Sequence, residues 1–229
     1  MTGEPLTTPD FAARTLQAYE RWAPAYPPVA HNPLMRAEQE AMRRLWPTIA
    51  GRRVLDLACG SGRYSRLLED AQASDVIAID FCLAMLRQVG GARRICGSMM
   101  ELPLADSIFD VVVSGLALGH ATELAPWCNE VARVLQPRGT LLYSDFHPEA
   151  AHAGLPRTFK DANDQVVTVP HRCFELDAQF GALQAAGLTI EVVDTVRVGY
   201  ELQEPFTNSE AFYDRWHGLP LVLVVRARK

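Results

Sequence analysis

A short apolar run that ends in two closely spaced glycines constrains the fold of this chain more than any other feature. Residues Val54 to Leu57 form a β-prone segment, and Gly60 and Gly62 follow just before a predicted helix that begins at about Arg63. Glycine lacks a Cβ atom, so this turn can adopt unusual backbone angles and bring its peptide groups against a ligand. The helix that follows points unpaired N–H groups at the same place. The segment therefore predicts a strand, a turn and a helix that together bind a nucleotide-like ligand.

The order of elements after Gly51 predicts the fold class. Strand-like and helix-like segments alternate, as in a parallel sheet with helices on both faces. We predict a Rossmann-like α/β fold with a mostly parallel seven-stranded sheet, an N-terminal helical cover and a β-hairpin inserted after strand five. The predicted strands are Arg53 to Leu57, Asp75 to Asp80, Ala92 to Cys96, Phe109 to Ser114, Thr140 to Phe146, Thr189 to Val198 and Leu221 to Arg226. The predicted helices between them include about Arg63 to Asp70, Cys82 to Val89, Glu123 to Leu135, Leu176 to Ala186 and Ser209 to Trp216, and a turn is predicted at Pro137 to Gly139.

The length of 229 residues fits one large α/β domain with additions rather than two full domains, because one α/β domain of this size buries a sizeable core. We predict four parts within this single domain. Residues 1–50 form the helical cover, with helices at about Pro9 to Arg21 and Leu34 to Trp46; residues 51–146 form the cofactor-binding core; residues 147–172 form the inserted hairpin, which caps the substrate; and residues 173–229 complete the sheet.

Charge and cysteine content exclude several kinds of partner. The formal net charge of −5 gives no basic surface for nucleic acid or an anionic membrane, so we expect a small-molecule partner. The five cysteines include no C-x-x-C pair, which indicates neither a disulfide framework nor a metal site. The first ten residues do not resemble a leader, and no apolar stretch is long enough to span a bilayer. We therefore expect a cytoplasmic protein; the sequence carries no signal for an oligomeric state.

An acidic residue stands where an adenosine-type ligand would need one. Asp80 ends the second predicted strand, about twenty residues after Gly60, which is the spacing at which a carboxylate of the neighbouring strand meets ribose hydroxyls. The alternative is that Asp80 only caps the following helix. Asp56, at the end of the first strand, can accept from a cationic or hydroxyl group.

Four segments in order resemble the motifs of class I S-adenosylmethionine-dependent methyltransferases, within the group of ubiquinone and menaquinone biosynthesis enzymes and natural-product methyltransferases. They are VLDLACGSGRYSRLL, VIAIDFCLAML, LPLADSIFDVVVS and EVARVLQPRGTLLYSDF, and the resemblance covers about Gly51 to Phe146. It is specific for the fold and the cofactor, and not for the substrate. It implies S-adenosylmethionine as the methyl donor and S-adenosylhomocysteine as the product.

The resemblance also implies roles for individual residues. Asp56, Gly60 and Gly62 would line the methionine part of the cofactor, Asp80 would hold the ribose, Phe81 would pack on the adenine, and Ser98 and Met99 would lie at its edge; Ala58 and Ser114 are further predicted contacts. The family usually has an acidic residue where this chain has Ser98, so the hydrogen bond to adenine should be weaker by about 1 kcal/mol. The segment from Tyr19 to Tyr26 resembles the part that folds over the cofactor, which makes both tyrosines candidates for closing the site. Ordinary helix packing is the alternative for them.

A dinucleotide site is the main alternative for the glycine turn. It requires a third glycine for close helix packing and space for a pyrophosphate, and Tyr64 occupies that position here. Methyl transfer requires a sulfonium held in line with a nucleophile, with most of the catalysis coming from positioning and electrostatics. The motif fits methyl transfer better.

Two histidines are candidate general bases. His120 follows strand four and His147 follows strand five, at the edge of the sheet where ligands bind, and either could accept a proton from the acceptor. Both could instead be structural. Weaker candidates for substrate contact are Asp145, Arg157, His171 and His31.

These observations predict a methyltransferase that acts on a small molecule, with an oxygen acceptor as the first expectation, in a biosynthetic or secondary-metabolite pathway. Methylation of carbon or nitrogen is the alternative within the class. An alternative from another class is a non-catalytic sensor or partner protein that binds the same cofactor.

Overall fold

A computed structural model of the chain describes residues 7–199 and 209–229, so residues 1–6 of the predicted cover lie outside the described residues. The helices are α1 (Thr8–Trp22), α2 (Pro33–Arg44), α3 (Arg63–Asp70), α4 (Leu83–Leu86), α5 (Leu124–Val134), α6 (Pro148–His152), α7 (Leu176–Ala185) and α8 (Ser209–Trp216). The strands are β1 (Arg53–Leu57), β2 (Asp75–Asp80), β3 (Arg93–Cys96), β4 (Phe109–Gly115), β5 (Leu135–Phe146), β6 (Thr158–Lys160), β7 (Val166–Thr168), β8 (Thr189–Arg197) and β9 (Pro220–Arg228). None of the helices in the described ranges combines the length and apolar character needed to cross a bilayer.

The main sheet has seven strands in the order β3-β2-β1-β4-β5-β9-β8. The five strands from β3 to β5 are parallel, whereas β9 pairs antiparallel with both β5 and β8. Strands β6 and β7 form a separate hairpin after β5. The predicted fold class, including the hairpin, is confirmed. Chain order reverses between β1 and β4, which is the place where open α/β sheets bind ligands beyond the carboxyl ends of their strands.

The core lies on both faces of the sheet. Along β4, Val111 and Val113 pack on one face and Val112 on the other, and all three are almost fully buried. This explains the near-continuous apolar run in the sequence, because a parallel strand covered by helices on both sides has no solvent face. The rigid, doubly covered centre of the sheet fixes the positions of the loops at its carboxyl edge.

Two local predictions differ from the structure, and one short helix was not predicted. The turn predicted at Pro137 to Gly139 lies inside β5, where Arg138 has a φ of +67° and the register between β4 and β5 shifts. The turn residues therefore make an irregularity within a longer strand rather than its start. The helix predicted over Cys82 to Val89 is limited to the single turn of α4. Helix α6 was not predicted; Pro148 at its first position and the side chain of His147 as its cap allow it to form.

The two N-terminal helices have different positions. Helix α1 packs beside α4 and contacts the hairpin, where the ring of Trp22 stacks on Phe159 with centroids 4.3 Å apart and Arg21 donates to Asp161 at 2.7 Å. Helix α2 instead packs against β5, β8 and β9. Helix α1 therefore joins the hairpin over the carboxyl edge of the sheet, while α2 belongs to the helical layer on one face.

Candidate functional site

The turn after β1 contains several residues in the left-handed backbone region. Ala58, Gly60 and Gly62 have φ values of +56°, +55° and +87°. A Cβ atom added to Gly60 would meet nothing within 4 Å, whereas one added to Gly62 would lie 3.0 Å from Cγ1 of Val89. Gly60 therefore leaves an open side for a ligand, and Gly62 allows α3 to begin close to the segment after α4.

Asp80 connects this turn to the next strand. Its Oδ2 atom accepts from the backbone N–H of Gly60 at 2.8 Å, and its Oδ1 atom accepts from that of Cys82 at 2.8 Å. Burial raises the pKa of Asp80 to about 6, against the opposing effect of the N–H groups of Cys82, Gly60 and Phe81. A carboxylate offers about four acceptor positions, so this one keeps capacity for a further hydrogen bond. Asp80 can therefore accept from the N–H of Cys82 at the start of α4 and still contact a ligand.

Asp56 lies at the end of β1 with 1% of its surface exposed. The hydroxyl of Ser65, on the first turn of α3, donates to its Oδ2 atom at 2.6 Å. Burial raises the pKa of Asp56 to about 6, and the hydrogen bonds from Ser65 partly oppose this effect. The turn is thus flanked by two buried carboxyl groups, those of Asp56 and Asp80, which attract positive charge and hydroxyl donors.

A cavity of about 860 Å³ extends from this turn to α1 and the hairpin. Most of the predicted site residues line it. Those at the end near the glycine turn are Asp56, Ala58, Gly60, Asp80, Phe81, Ser98 and Met99. Those toward α1 and the hairpin are Tyr19, Tyr26, His31, His120 and Arg157. We call these the donor end and the acceptor end.

Five other predicted residues lie outside this lining: Gly62, Ser114, Asp145, His147 and His171. Ser114 is buried and its hydroxyl has no hydrogen-bond partner among the described residues. His147 is the cap of α6, where its Nδ1 atom accepts from the N–H of Glu149 at 3.3 Å. Burial lowers the pKa of His147, and of His171 to about 4, so both imidazoles are neutral at neutral pH.

His120 and Tyr19 meet at the acceptor end. The Tyr19 hydroxyl lies 2.8 Å from Nε2 of His120, and Nδ1 of His120 lies 3.2 Å from the carbonyl oxygen of Pro170. A carbonyl only accepts, so Nδ1 carries the proton, Nε2 is the acceptor and Tyr19 is the donor. Burial lowers the pKa of His120 well below its usual value, with Arg157 adding to the effect, and burial raises the pKa of Tyr19 to about 12. Both groups are therefore neutral.

Arg157 of the hairpin completes this group. Its Nη2 atom donates to the carbonyl oxygen of Leu116 at 2.5 Å and to the Tyr19 hydroxyl at 3.3 Å. Its Nη1 atom lies 3.7 Å from Oδ1 of Asp145, and its guanidinium lies 5.0 Å from the centre of the Phe146 ring. Burial raises the pKa of Asp145 to about 6, and the positive charge of Arg157 opposes only part of this rise. The hairpin thus brings a buried cation to the pair formed by Tyr19 and His120.

Aromatic rings surround the acceptor end. The ring of Trp22 lies 4.5 Å from that of Tyr26 in an edge-to-face arrangement, and His31 lies 5.4 Å from Tyr26. Burial lowers the pKa of His31.

At the donor end of the cavity, the hydroxyl of Ser98 accepts from the N–H of Met100 at 3.1 Å, which orders the loop after β3.

Sequence reasoning missed a buried polar network behind the glycine turn. Glu38 of α2 is fully buried; it accepts from Nη1 of Arg63 at 2.7 Å, from Tyr64 at 2.7 Å and from Ser144 at 2.5 Å. The ring of Tyr64 fills the space beside Gly115, where an added Cβ would clash with Cε2 of that ring. The available signal was the position of Glu38 in the apolar stripe of α2, between Met35 and Met42.

Comparison with known proteins agrees with this geometry. Residues 55–143 match the family described as "Methyltransferase domain". A demethylmenaquinone methyltransferase of Renibacterium salmoninarum is 38% identical over 136 residues, which cover 55% of this chain and 56% of the relative. A malonyl-[acyl-carrier protein] O-methyltransferase of Halorhodospira halophila is 36% identical over 120 residues, which cover 48% of this chain and 41% of the relative. The chain thus spans about half the length of the curated relatives it matches.

The structural comparison extends over more of the chain. An S-adenosylmethionine-dependent methyltransferase from Mesorhizobium loti superposes with a TM-score of 0.68 at 25% identity, covering 84% of this chain and 98% of the other. The sheet order, the glycine turn with Asp80 and the matched domain therefore agree with one another. Through the domain matched at residues 55–143 and through its fold, this chain is similar to the class I S-adenosylmethionine-dependent methyltransferases.

Proposed function

We propose that the protein transfers a methyl group from S-adenosylmethionine to an oxygen atom of a small molecule. The observation that carries this proposal is the single cavity that joins the turn held by Asp80 to the neutral pair formed by Tyr19 and His120. A donor bound at the first place and an acceptor bound at the second would share one cavity. Positioning of this kind supplies most of the rate enhancement in a simple displacement.

The donor end has the features that the methyl donor requires. Gly60 has an open side, and Asp80 keeps acceptor capacity for ribose hydroxyls. We assign Phe81, Ser98 and Met99 to the adenine and Asp56 to the methionine ammonium group. When bound, S-adenosylmethionine supplies an electrophilic methyl carbon, which forms a bond to the acceptor oxygen as its bond to sulfur breaks and leaves the electron pair on sulfur.

Arg63 suits the carboxylate of the same ligand. Its side chain is 7% exposed and lines the cavity, and its Nη1 atom is held by Glu38 at 2.7 Å. The Nη2 atom lies beside Gly115, at the carboxyl end of β4. We assign this guanidinium to the methionine carboxylate because an arginine fixed on one side by a buried acid is already oriented for a second oxygen anion.

At the acceptor end, Tyr19 and His120 handle the proton of the acceptor. Nε2 of His120 already accepts from Tyr19, so the acceptor hydroxyl can donate to Oη of Tyr19 as the Tyr19 proton moves to Nε2. The N–H of Arg157 on the same oxygen stabilises negative charge there. We propose His120, with Tyr19 as the relay, as the proton acceptor. His147 caps α6 outside the cavity, and we propose a structural role for it.

The low pKa of His120 restricts how weakly acidic the acceptor group can be. A neutral imidazole is available at neutral pH, but a weak base removes a proton efficiently only from an acidic group. We therefore propose a phenolic or enolic hydroxyl. Methylation of carbon or nitrogen is the alternative within the class, and the position of the methyl group in the isolated product distinguishes the three.

The setting we propose is a biosynthetic pathway in the cytoplasm. All five cysteines are free, which suits a reducing compartment. The relatives named above act, by their names, in methylation of demethylmenaquinone and of malonyl-[acyl-carrier protein]. We propose a small-molecule acceptor for this chain. We also propose that the chain forms a single domain, composed of the four parts predicted from the sequence.

The test is release of S-adenosylhomocysteine from S-adenosylmethionine in the presence of a panel of phenols, enols and amines. We expect release that depends on the acceptor and on an intact Asp80. Binding of S-adenosylhomocysteine by calorimetry without release by any acceptor would favour the alternative of a cofactor-binding sensor. No binding at all would contradict both hypotheses.

A further inference from the structure

The acceptor end of the cavity contains one buried cation among the described residues. The side chain of Arg157 is only 10% exposed, whereas that of Lys160 on the same hairpin is 68% exposed. Arg157 reaches the site because β6 begins directly after it and its guanidinium lies over the ring of Phe146. The hairpin therefore introduces a positive charge beside the group proposed to handle the proton.

This guanidinium is incompletely hydrogen-bonded. Its Nη2 atom bonds to Leu116 and Tyr19, but its buried Nη1 atom has no hydrogen-bond partner in the described structure. The carboxylate at 3.7 Å, Asp145, is too distant for a hydrogen bond, and its Oδ1 atom is also without one. A buried donor without a partner costs about 1–3 kcal/mol. Arg157 is thus held to Asp145 only by charge at 3.7 Å, and because its side chain lines the cavity, a ligand oxygen can compete for its N–H groups.

The remaining charges divide the cavity. Its carboxylates, Asp56 and Asp80, lie at the donor end by the glycine turn, where the buried cation Arg63 is already paired with Glu38. The acceptor end combines Arg157 with the neutral imidazole of His120 and with the rings of Phe146 and Phe159. An apolar or aromatic molecule with a carboxylate matches these walls and this charge, because guanidinium and carboxylate form strong paired hydrogen bonds.

We propose that the methyl acceptor carries a carboxylate and that Arg157 binds it. This inference rests on the proposed methyl transfer. Because Nη2 of Arg157 lies 3.3 Å from the Tyr19 hydroxyl, the carboxylate lies within a few bonds of the reacting hydroxyl, as in a 2-hydroxyaryl acid. Arg157 is then a specificity-determining residue that selects charge as well as position.

The test compares two probes of the same shape that differ in charge, 2-hydroxybenzoate and 2-hydroxybenzamide. Their binding to the full chain saturated with S-adenosylhomocysteine is measured by calorimetry. We expect the carboxylate to bind roughly tenfold or more tightly than the amide, as for a charge-assisted hydrogen bond. The preference should disappear in Arg157→Met and be reduced in Arg157→Lys. 4-Hydroxybenzoate, whose two groups are further apart, should bind less tightly than 2-hydroxybenzoate.

Unchanged affinity of each variant for S-adenosylhomocysteine reports that the donor end is intact. A wild-type protein that binds 2-hydroxybenzoate no more tightly than the amide, or a preference that survives in Arg157→Met, would overturn the proposal. Failure of the proposed methyl transfer has a different signature, namely no binding of S-adenosylhomocysteine or no release of it with any acceptor.

Discussion

The Tyr19 hydroxyl lies 2.8 Å from Nε2 of His120, joining α1 to the loop after β4 across 101 residues of sequence. The carbonyl oxygen of Pro170 fixes the protonated nitrogen of the imidazole, and Arg157 of the hairpin donates to the same hydroxyl. Three separate parts of the chain thus determine the chemical state of one pair of side chains. In this pair, His120 is a neutral hydrogen-bond acceptor and Tyr19 is the hydrogen-bond donor. The cation of Arg157 can stabilise the Tyr19 oxygen after it loses its proton.

Substitution of either member of this pair should lower turnover. For His120→Ala and Tyr19→Phe we expect kcat to fall by about 10²-fold or more, as is typical when a proton-transfer group is removed, with affinity for S-adenosylhomocysteine retained. His147→Asn is the matched control, because asparagine is also a good helix cap and should preserve both α6 and turnover. Equal losses in the control and in His120→Ala, measured by the rate of S-adenosylhomocysteine release, would refute the assignment.

Asp80→Ala should weaken cofactor binding strongly while the fold is retained. The substitution removes the acceptor for Gly60 and the proposed acceptor for the ribose hydroxyls, so we expect calorimetric affinity for S-adenosylhomocysteine to fall roughly 10- to 100-fold. Asp75→Ala is the control at the opposite end of β2; its ion pairs with Arg53 and Arg93 lie at the surface, where such pairs contribute little. Wild-type affinity in Asp80→Ala would show that the residue is only a cap.

Cofactor affinity should depend on pH in one direction. Asp56 and Asp80 both have pKa values raised to about 6 by burial, and a ligand with an ammonium group and hydroxyl donors binds their ionised forms. Protonation below pH 6 therefore opposes binding, so affinity should rise between pH 5 and pH 7 and then level off, by at most about tenfold per group per pH unit. Binding near pH 6 should release protons, which calorimetry in buffers of different ionisation enthalpy detects. A flat profile from pH 5 to 7.5 would contradict this coupling.

The buried network around Glu38 should dominate the stability of the N-terminal part. Glu38→Ala leaves Arg63 as a buried charge without its partner, so we expect the free energy of unfolding to fall by about 3–5 kcal/mol. Glu40→Ala, on the exposed face of the same helix, should change it by less than about 0.5 kcal/mol. Urea unfolding curves of both variants measure the difference. Similar losses of unfolding free energy in the two variants would mean that Glu38 stabilises the protein only by favouring helix α2, and not through its pairing with Arg63.

Much of the donor end could be predicted from local sequence. The ranges of β1, α3 and β2 agree with the predictions because an apolar strand, a glycine turn and an acidic strand end are each determined by a few neighbouring residues. The left-handed conformation of Ala58 could not be predicted, since alanine has no preference for it and the surrounding turn imposes it. The roles of the site residues in binding and catalysis stay predictions.

The acceptor end could be predicted only as a group of candidate residues. His120 and His147 were equivalent in the sequence, because each follows a central strand at the same edge of the sheet. The structure separates them: His120 lines the cavity, and His147 caps a helix outside its lining. That difference depends on the path of a few residues after each strand, for which periodicity gives no information.

The sequence by itself determined the class of fold, its parallel core and the meeting of Asp56, Gly60 and Asp80, because the carboxyl ends of neighbouring parallel strands must lie together. Only the tertiary structure decided which side chains line the acceptor end of the cavity and which polar groups are buried behind the glycine turn. The contacts of Tyr19 with His120 and of Glu38 with Ser144 join residues 101 and 106 positions apart. Such contacts arise from how α1, α2 and the hairpin pack on the sheet, and long-range packing is set by shape and burial that no local pattern encodes.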